Sequence, residues 1–481
     1  MSAMEEVSIN DDVRALVDEI IKKNNWEPVI DIKYYPGTEA GDGYASKHVA
    51  VEILRSRGTI RLFMKYSLDF KSSIEASVDK FYANEIYFYD VVLPAFEKFV
   101  AVKNIRDGFR HVPKSYGSSP KNIIALENIR DRGYTLFDRR TIMDDNHITL
   151  VLKTFAKFHA TSFAFKDQNR EDYDRLIANW DGDLAGSTPT DSPFRKMWVN
   201  PIQDGLNLLD PVKDKEILDR CDAESLNSFL INAQKCQNEY SIFTQGDCWC
   251  NNVMFKYEND NKSNPTDVIL VDWQLFRPLS PVFDISYFFY TIASEASLAK
   301  LDTYLEIYYT ELTDQLKQLG SDPKEVYPKE IFHKEWKQYC KFGFGMAFML
   351  IKFMLANKDE VPKMNEMDFE NPEKLEFFSK FDNEAEYLRR LRILGQFMNG
   401  NRSNPVDIML VDWQLLRPLS PAVDISYFFY TIASEASLAK LDSYLETYYV
   451  ELTDQLEQLG SDPKAVYPKE IFHKEWKQHC K

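Results

Sequence analysis

The stretch "FTQGDCWCNNVMFKY", residues 243–257, places Asp247 and a pair of asparagines in a run that otherwise resembles the end of a buried strand. Asn252 follows Asp247 by five residues, and "ILVDWQ" at 269–274 adds Asp272 after an apolar triplet. Phosphoryl transfer needs a carboxylate that receives a hydroxyl proton and oxygen ligands that hold magnesium. The first spacing is typical of a kinase catalytic loop, and Asp272 stands where a second metal carboxylate belongs.

Two predicted strands, "KHVAVEIL" and "TIRLFMKY", form a hairpin within residues 47–66, and Lys65 lies near the end of the second. Phosphoryl transfer also requires a lysine on the nucleotide phosphates, which Lys65 can supply. Ahead of the hairpin, the loop "PGTEAGDGYAS" contains Gly41 and Gly43 and ends at Ser46. Most glycine loops are simply turns, so this loop is weak evidence by itself.

Residues 72–100 carry apolar side chains at helical spacing, and Glu85 lies on the same stripe, four residues after Phe81. An unpaired carboxylate on a buried face would cost roughly several kcal/mol. We therefore expect a cation to reach Glu85 from another element, and Lys65 is the candidate. The alternative is a helix rotated so that Glu85 reaches solvent.

Strand signals precede helix signals along the chain. A further strand is predicted in "KNIIALENI" at 121–129, and long apolar periodicity then predicts helices at 148–165, 223–239, 284–320 and 330–356. The apolar run at 342–356 is shorter than the roughly 20 residues of a membrane span and is interpreted as a buried helix. This order predicts an α+β fold with a small β-rich N-lobe and a larger helical C-lobe.

An internal repeat occupies the end of the sequence. Residues 261–341 recur at 401–481 at a constant offset of 140, with 13 differences over 81 positions. In the second copy Asp412 repeats Asp272, but no counterpart of the loop around Asp247 precedes it. We expect this partial duplicate to be a loosely packed addition without a working site.

Composition excludes several classes of function. The chain has 481 residues, enough for about two or three domains, and its formal net charge of −17 disfavours nucleic acid and anionic lipid as partners. The acidic N-terminus lacks the apolar core of a signal peptide, and the six cysteines include no CxxC pair. These features predict a cytoplasmic protein with reduced thiols, no membrane span and no nucleic-acid partner.

Taken together, the motifs resemble those of the ecdysteroid-kinase-like small-molecule kinases, which are related to choline kinases and aminoglycoside phosphotransferases. The resemblance covers about residues 30–398 in the family's order. Its matching segments are "GDGYAS" at 41–46, "LFMKY" around Lys65, "NEIYFYDVVLP" around Glu85, "ALENI" around Glu127, "KFHATS" around His159, "QGDCWCNNVMF" around Asp247, and "VDWQLFRPLSPVFDISYFF" around Asp272 and Asp284.

The resemblance implies an ATP-dependent phosphotransferase with the two-lobed protein-kinase-like fold, acting on a small-molecule alcohol such as an ecdysteroid. It divides the chain into an ATP-binding lobe at 1–128, a helical catalytic lobe at 129–399 and the partial duplicate at 400–481. The implied roles are a catalytic base, Asp247; magnesium ligands, Asn252 and Asp272; a phosphate-binding lysine oriented by a glutamate, Lys65 and Glu85; a loop over the phosphates, Gly41, Gly43 and Ser46; and a hinge beside adenine, Glu127 and Asn128.

One departure from the family pattern is Gln245, which stands where the family has histidine before Gly-Asp. Glutamine can donate and accept similar hydrogen bonds but does not titrate, so we expect reduced rather than abolished activity. Two alternatives are a choline- or ethanolamine-type kinase and a catalytically impaired pseudokinase.

Three further features favour structural interpretations. Asp284 is expected to be a buried carboxylate that caps a helix and braces a loop. His159 is expected to be a core histidine, and Cys248 and Cys250 to be packing thiols rather than zinc ligands.

Overall fold

The structure is a computed structural model, and it describes residues 7, 9–38, 46–67, 75–103, 105, 107–182, 201–258, 261–357, 360, 382–402, 441–458 and 461–479. The chain divides into two compact units, Met1–Ser403 and Asn404–Lys481. The last helix described in the first unit runs from Glu384 to Arg402 and therefore crosses the expected boundary at 399–400.

The first lobe of the larger unit is built on a five-stranded antiparallel sheet in the order β1-β2-β3-β5-β4. The predicted hairpin is confirmed, with Lys65 of its second strand paired to His48 across the ladder. The core on one face of the sheet includes a helix, α1, whose N-cap Asn10 accepts from the Val13 backbone N–H at 2.9 Å. These elements are β1 (Val29–Pro36), β2 (Ser46–Arg55), β3 (Gly58–Ser67), β4 (Ser115–Ser119), β5 (Ile123–Glu127) and α1 (Asp11–Lys23).

The helical segment expected at 72–100 is present, but it consists of three pieces. Helix α2 (Glu75–Tyr87) carries Glu85, a single π-helical turn follows at Phe88–Val92, and α3 (Leu93–Ala101) continues the chain. Within the π-helical turn, the Phe88 ring stacks on Trp273 with centroids 3.9 Å apart and planes within 5°. This stack joins the end of α2 to the segment that follows Asp272.

The second lobe is mainly helical, so the predicted α+β order of a small β-rich lobe and a larger helical lobe is confirmed. Its helices are α4 (Asp145–Gln168), α5 (Arg170–Ala178), α6 (Lys215–Arg220), α7 (Ala223–Ile231), α8 (Val282–Ile292), α9 (Glu295–Leu298), α10 (Leu301–Leu319), α11 (Pro323–Val326), α12 (Lys329–Tyr339), α13 (Lys341–Leu355) and α14 (Glu384–Arg402). A further helical stretch is described at 201–207.

Some expected helix boundaries were wrong. The segment predicted to be helical at 284–320 consists of three helices, α8, α9 and α10, and a capping box at Ser294 starts the second of these. Helix α7 ends at Ile231, eight residues before the expected end at residue 239. The buried apolar helix at 342–356 is confirmed as α13, and within the described ranges no helix is long and apolar enough to cross a membrane.

The second lobe also contains five short strands, whose bounds were not predicted from the sequence pattern. They place the loop around Asp247 between two small sheets, because β7 pairs with β10 while β8 pairs with β6 and β9. Their bounds are β6 (Tyr134–Leu136), β7 (Ile242–Thr244), β8 (Val253–Tyr257), β9 (Pro265–Leu270) and β10 (Arg277–Leu279).

The described part of the second unit consists of α15 (Leu441–Gln458), α16 (Pro463–Val466) and α17 (Lys469–His479). These helices share a small apolar cluster formed by Leu445, Tyr449, Phe472 and Trp476. The Tyr449 hydroxyl donates to the Tyr467 carbonyl at 2.7 Å, and the first copy has the same bond at 2.9 Å. The copy therefore preserves local contacts, although Asp412 lies outside the described residues.

Candidate active site

The loop that carries Asp247 follows β7 and ends in a 3₁₀ turn, Cys250–Asn252, that leads into β8. The turn brings Asn252 back to Asp247, so the Asn252 amide donates to the Asp247 carboxylate at 2.7 Å and to its backbone carbonyl at 2.9 Å. The Tyr287 hydroxyl of α8 donates to the other carboxylate oxygen, Oδ1, at 2.9 Å. The spacing noted in the sequence thus corresponds to a direct contact.

The electrostatic surroundings raise the pKa of Asp247 towards neutral pH. Burial raises the pKa of Asp247 to about 6, and the negative charge of Asp272 adds to this effect. The hydrogen bonds from Tyr287 and Asn252 and the charge of Lys65 act in the opposite direction. A carboxylate of this kind is ionised at neutral pH and basic enough to accept a proton.

Asp284 braces the start of this loop from beneath. Its carboxylate accepts from the backbone N–H groups of Gln245 at 2.6 Å and Gly246 at 3.0 Å. His159 contacts the same carboxylate at 3.1 Å, and its other ring nitrogen contacts the Tyr308 hydroxyl at 2.8 Å. The expected bracing role of Asp284 and the core role of His159 are confirmed.

The expected N-cap role of Asp284 was wrong. Helix α8 begins at Val282, so Asp284 lies in its first turn and serves the loop instead of its own helix. Gly246 adopts a φ of +83°, and a Cβ at this position would clash with the Leu275 backbone carbonyl. The close approach of these two segments therefore requires glycine.

Gln245 connects the two acidic segments of the site. Its side-chain amide donates to the backbone carbonyls of Val271 at 3.1 Å and Asp272 at 2.8 Å. Its side-chain oxygen accepts from the Asp247 backbone N–H at 2.8 Å and from the Cys248 thiol at 3.1 Å. The expectation that glutamine makes both kinds of hydrogen bond at the histidine position is confirmed.

Lys65 lies between two carboxylates. Its ammonium group is 2.7 Å from Glu85 and 2.7 Å from Asp272, and Glu85 also accepts from the Trp273 backbone N–H at 3.2 Å. Glu85 is only 1% exposed, so the predicted pair is confirmed and the alternative with Glu85 in solvent was wrong. Burial opposes the charge on the lysine, but Asp272 and Glu85 outweigh it and raise the pKa of Lys65.

The backbone at Asp272 is unusual, because this residue has a φ of +61° in the left-handed region. Such a conformation costs about 1–3 kcal/mol for a residue other than glycine and is common at functional sites. The hydrogen bond from Gln245 to the Asp272 carbonyl helps to hold it. The surroundings thus aim the Asp272 carboxylate at Lys65 and away from the preceding strand.

Asn252 and Asp272 fit a magnesium ion by the chemistry of their donor atoms. Their segments are joined by a backbone hydrogen bond from Val271 to Asn252 at 3.0 Å. Within the described residues, no contact engages Oδ1 of Asn252 or Oδ2 of Asp272, and no group of three His, Cys, Asp or Glu side chains gathers as for a metal. Two oxygen donors suit Mg²⁺, which takes one or two carboxylates together with substrate phosphates.

The expected nucleotide-binding residues are only partly described. Ser46 begins β2, where its hydroxyl accepts from Tyr82 of α2 at 2.8 Å, while Gly41 and Gly43 lie outside the described residues. Glu127 ends β5 and its carboxylate contacts Arg132 at 3.2 Å. The Asn128 side chain accepts from the Arg130 backbone N–H at 3.3 Å and so caps a short turn. Their roles toward the phosphates and adenine stay predictions.

Two residues of the site were missed in the sequence. Tyr287 contacts Asp247 but lies in the apolar run "SYFFY", where nothing distinguishes it from a core tyrosine. Asn84 donates to the carbonyls of Gln274 at 2.8 Å and Phe276 at 2.9 Å, which ties α2 to the segment after Asp272. A buried asparagine beside Glu85 was the only available signal.

The sequence matches the model of one known protein family. The sequence model of the ecdysteroid kinase-like family matches residues 40–321 and 396–461, which together make up well over half of the chain. The second match begins within α14 and covers much of the duplicate. No protein in the curated set matches the chain.

Several solved structures show limited similarity. Ethanolamine kinase from Plasmodium vivax is 14% identical, with 73% of this chain and 89% of that chain covered and a TM-score of 0.34. Choline kinase from Cryptosporidium parvum is 13% identical, with coverage of 81% and 100% and a TM-score of 0.37. The GDP and kanamycin complex of APH(2″)-IIia is 10% identical, with coverage of 79% and 98% and a TM-score of 0.34. These TM-scores are low, so membership of the family rests on the match to the family's sequence model and not on these structures.

Proposed function

This chain belongs to the ecdysteroid kinase-like family, and we propose that it transfers the γ-phosphoryl group of ATP to a hydroxyl group of a small molecule. The observation that carries the proposal is the cluster of four side chains around Lys65. Lys65 contacts Glu85 and Asp272, and Asp247 contacts Asn252 within the loop that Gln245 ties to Asp272.

In the proposed reaction, the hydroxyl oxygen of the acceptor attacks the γ-phosphorus of ATP while Asp247 accepts the hydroxyl proton. The bond between the γ-phosphorus and the β-phosphate oxygen breaks, and ADP leaves. Lys65 holds the α- and β-phosphates, and Glu85 orients Lys65 through the 2.7 Å contact. Asn252 and Asp272 would hold magnesium, which neutralises charge on the phosphates. The buried position of Asp247 supports this role, because burial raises its pKa and makes it a stronger base.

We further propose that the acceptor is an ecdysteroid or another apolar alcohol. The family match favours this class. A choline- or ethanolamine-type kinase would need aromatic side chains and carboxylates around a quaternary amine, and the family match does not favour this alternative. A pseudokinase would be expected to lack part of the catalytic set, whereas this chain retains Lys65, Asp247, Asn252 and Asp272.

The test is Mg-ATP turnover over a panel of an ecdysteroid, a simple sterol, choline and an aminoglycoside, with phosphorylated product detected by mass spectrometry. We expect product from the ecdysteroid or the sterol. Product from choline alone would establish the choline-type alternative. Binding of Mg-ATP without product from any acceptor of the panel would favour the pseudokinase alternative.

Asp247→Ala is expected to abolish phosphoryl transfer while Mg-ATP binding and folding persist, because the base acts on the acceptor. Asp272→Ala should weaken Mg-ATP binding itself. A matched control is Asp267→Ala. This residue lies in β9, where its carboxylate accepts from the Tyr134 hydroxyl at 2.6 Å and contacts none of the proposed catalytic residues. Wild-type turnover by Asp247→Ala would show that the catalytic loop is misassigned.

A further inference from the structure

Arg277 is a cation near the proposed base that forms no direct ion pair with a described carboxylate. Its backbone belongs to β10 and pairs with Thr244, three residues before Asp247. The side chain is half-buried, its Nε is buried without a hydrogen-bond partner, and no described side chain forms an ion pair with the guanidinium. Such an arrangement is costly unless a partner arrives from outside the protein.

Arg277 lies near the Asp247 carboxylate on the side of Tyr287. The Asp247 Oδ2 accepts from Asn252, whereas Oδ1 accepts from Tyr287. The Tyr287 ring lies 6.0 Å from Phe342, and the Arg277 guanidinium lies 5.5 Å from the same Phe342 ring. Arg277 therefore reaches the site from the Tyr287 side, opposite to the contact that Asn252 makes.

Electrostatics support this position. The charge of Arg277 interacts with the carboxylates of Asp284 and Asp247, although neither forms a direct ion pair with it. The Asp284 carboxylate is already engaged by two backbone N–H groups and His159. Burial lowers the pKa of Arg277, which reflects the cost of keeping this charge away from water. A guanidinium nevertheless stays charged at physiological pH.

We propose that Arg277 is a specificity-determining residue that binds a second oxygen of the acceptor, next to the hydroxyl that becomes phosphorylated. This inference rests on the proposed function. A guanidinium forms strong, often bidentate hydrogen bonds with hydroxyl, carbonyl or carboxylate oxygens. It repels a quaternary ammonium or a protonated amine at the same position. The acceptor class is thus a polyoxygenated alcohol, such as a vicinal diol or hydroxyketone, and cationic alcohols are rejected.

The first arm of the test compares acceptors that differ in charge and oxygen content. The probes are an ecdysteroid with vicinal hydroxyl groups, 3,3-dimethylbutan-1-ol, and choline, which is the cationic isostere of that simple alcohol. Arg277→Gln should lower kcat/KM for the ecdysteroid by about 10- to 100-fold, mainly through KM, because a charge-assisted hydrogen bond is lost. The effect on the simple alcohol should stay below about threefold. Arg277→Glu should reverse the preference between choline and its neutral isostere.

The second arm needs no acceptor. Arg277→Met keeps the packing on Phe342 and removes an unpaired charge, so we expect it to raise the melting temperature by about 1–3 °C or leave it unchanged. The matched control is Arg139→Met, which should lower the melting temperature. The Arg139 guanidinium donates to the carbonyls of Phe353 and Ala356, so its removal deletes both of these hydrogen bonds.

Either of two results overturns the proposal. One is a loss of stability in Arg277→Met comparable to that in Arg139→Met, because it would give Arg277 a structural role. The other is an equal loss of kcat/KM for all three acceptors in Arg277→Gln. Calorimetric binding of Mg-ATP to the wild-type protein separates these results from a failure of the proposed function. If Mg-ATP does not bind, the kinase assignment fails, and the stability arm still decides whether Arg277 is structural.

Discussion

Replacement of Gln245 by glutamate should damage both the stability and the activity of this protein. The two side chains are nearly isosteric, but glutamate places an oxygen where the glutamine amide donates to the carbonyls of Val271 and Asp272, at 3.1 and 2.8 Å. Gln245 is 1% exposed, so water cannot replace the lost donors. Protonation of the buried glutamate would restore at most one of the two hydrogen bonds.

The magnitude follows from these contacts. Loss of a buried hydrogen bond that leaves its carbonyl unsatisfied costs about 1–3 kcal/mol, and protonation of a buried glutamate at neutral pH adds about 2–4 kcal/mol. We therefore expect Gln245→Glu to lower the free energy of unfolding by about 3–7 kcal/mol. Because Asp272 holds a φ of +61° with the help of Gln245, turnover should fall by about 100-fold even in the folded fraction.

The comparison variant is Gln245→His. Histidine can donate to the Asp272 carbonyl and accept from the Asp247 backbone N–H, so it keeps two of the four hydrogen bonds of Gln245 and loses roughly 1–2 kcal/mol. Its turnover should stay within about tenfold of the wild type. Urea unfolding gives the stability and Mg-ATP-dependent product formation gives the rate. Equal stability and equal turnover in Gln245→Glu and the wild type would refute the view that this side chain holds the two acidic segments together.

Three further predictions concern the base, the buried ion pair and the repeat. The rate should fall as the pH drops through about 6, because protonation of Asp247 removes the base. Tyr287→Phe should move this acidic limb of the kcat/KM profile to higher pH by about half a unit, because it removes a hydrogen bond that lowers the pKa of Asp247. An unchanged acidic limb in the Tyr287→Phe variant would show that the group titrating in this limb is not hydrogen-bonded to Tyr287. Lys65→Ala and Glu85→Ala should each lower the rate, with the double variant little worse than the worse single one, and strictly additive losses would argue against coupling. Truncation after Arg402, the last residue of α14, should retain full turnover of Mg-ATP; loss of activity would show that the second copy completes the site.

The contacts that sequence reasoning predicted are those set by local geometry or by an unavoidable energetic cost. Asn252 meets Asp247 because a single short turn separates them, so their spacing along the chain determines the contact. The pair of Lys65 and Glu85 was predicted by a different route. A carboxylate on a buried helix face needs a cation, and the neighbouring hairpin offers a lysine at the end of its strand.

The features that were missed depend on pairing between distant segments. Strands β7 and β10 contain three residues each, too few to show alternation, and their pairing joins Thr244 to Arg277. Tyr287 lies in a buried helix that is mostly aromatic and aliphatic, so its hydroxyl gives no separate signal. Its contact with Asp247 exists only because α8 packs beneath the loop. Nothing in the local sequence reports that packing.

The role of Asp284 was predicted from the sequence, but its partners were not. Its position before an apolar helix, where an N-cap would stand, predicted a structural role without naming the partners. The structure gives it the N–H groups of Gln245 and Gly246 instead of those of its own helix, and adds His159 from α4, 125 residues earlier in the chain. Gln245 in turn holds the carbonyl of Asp272. The shape of the loop around Asp247 is therefore set jointly by segments that are far apart in sequence, so the spacing of its residues identifies the chemistry while the buried hydrogen bonds beneath it determine the geometry.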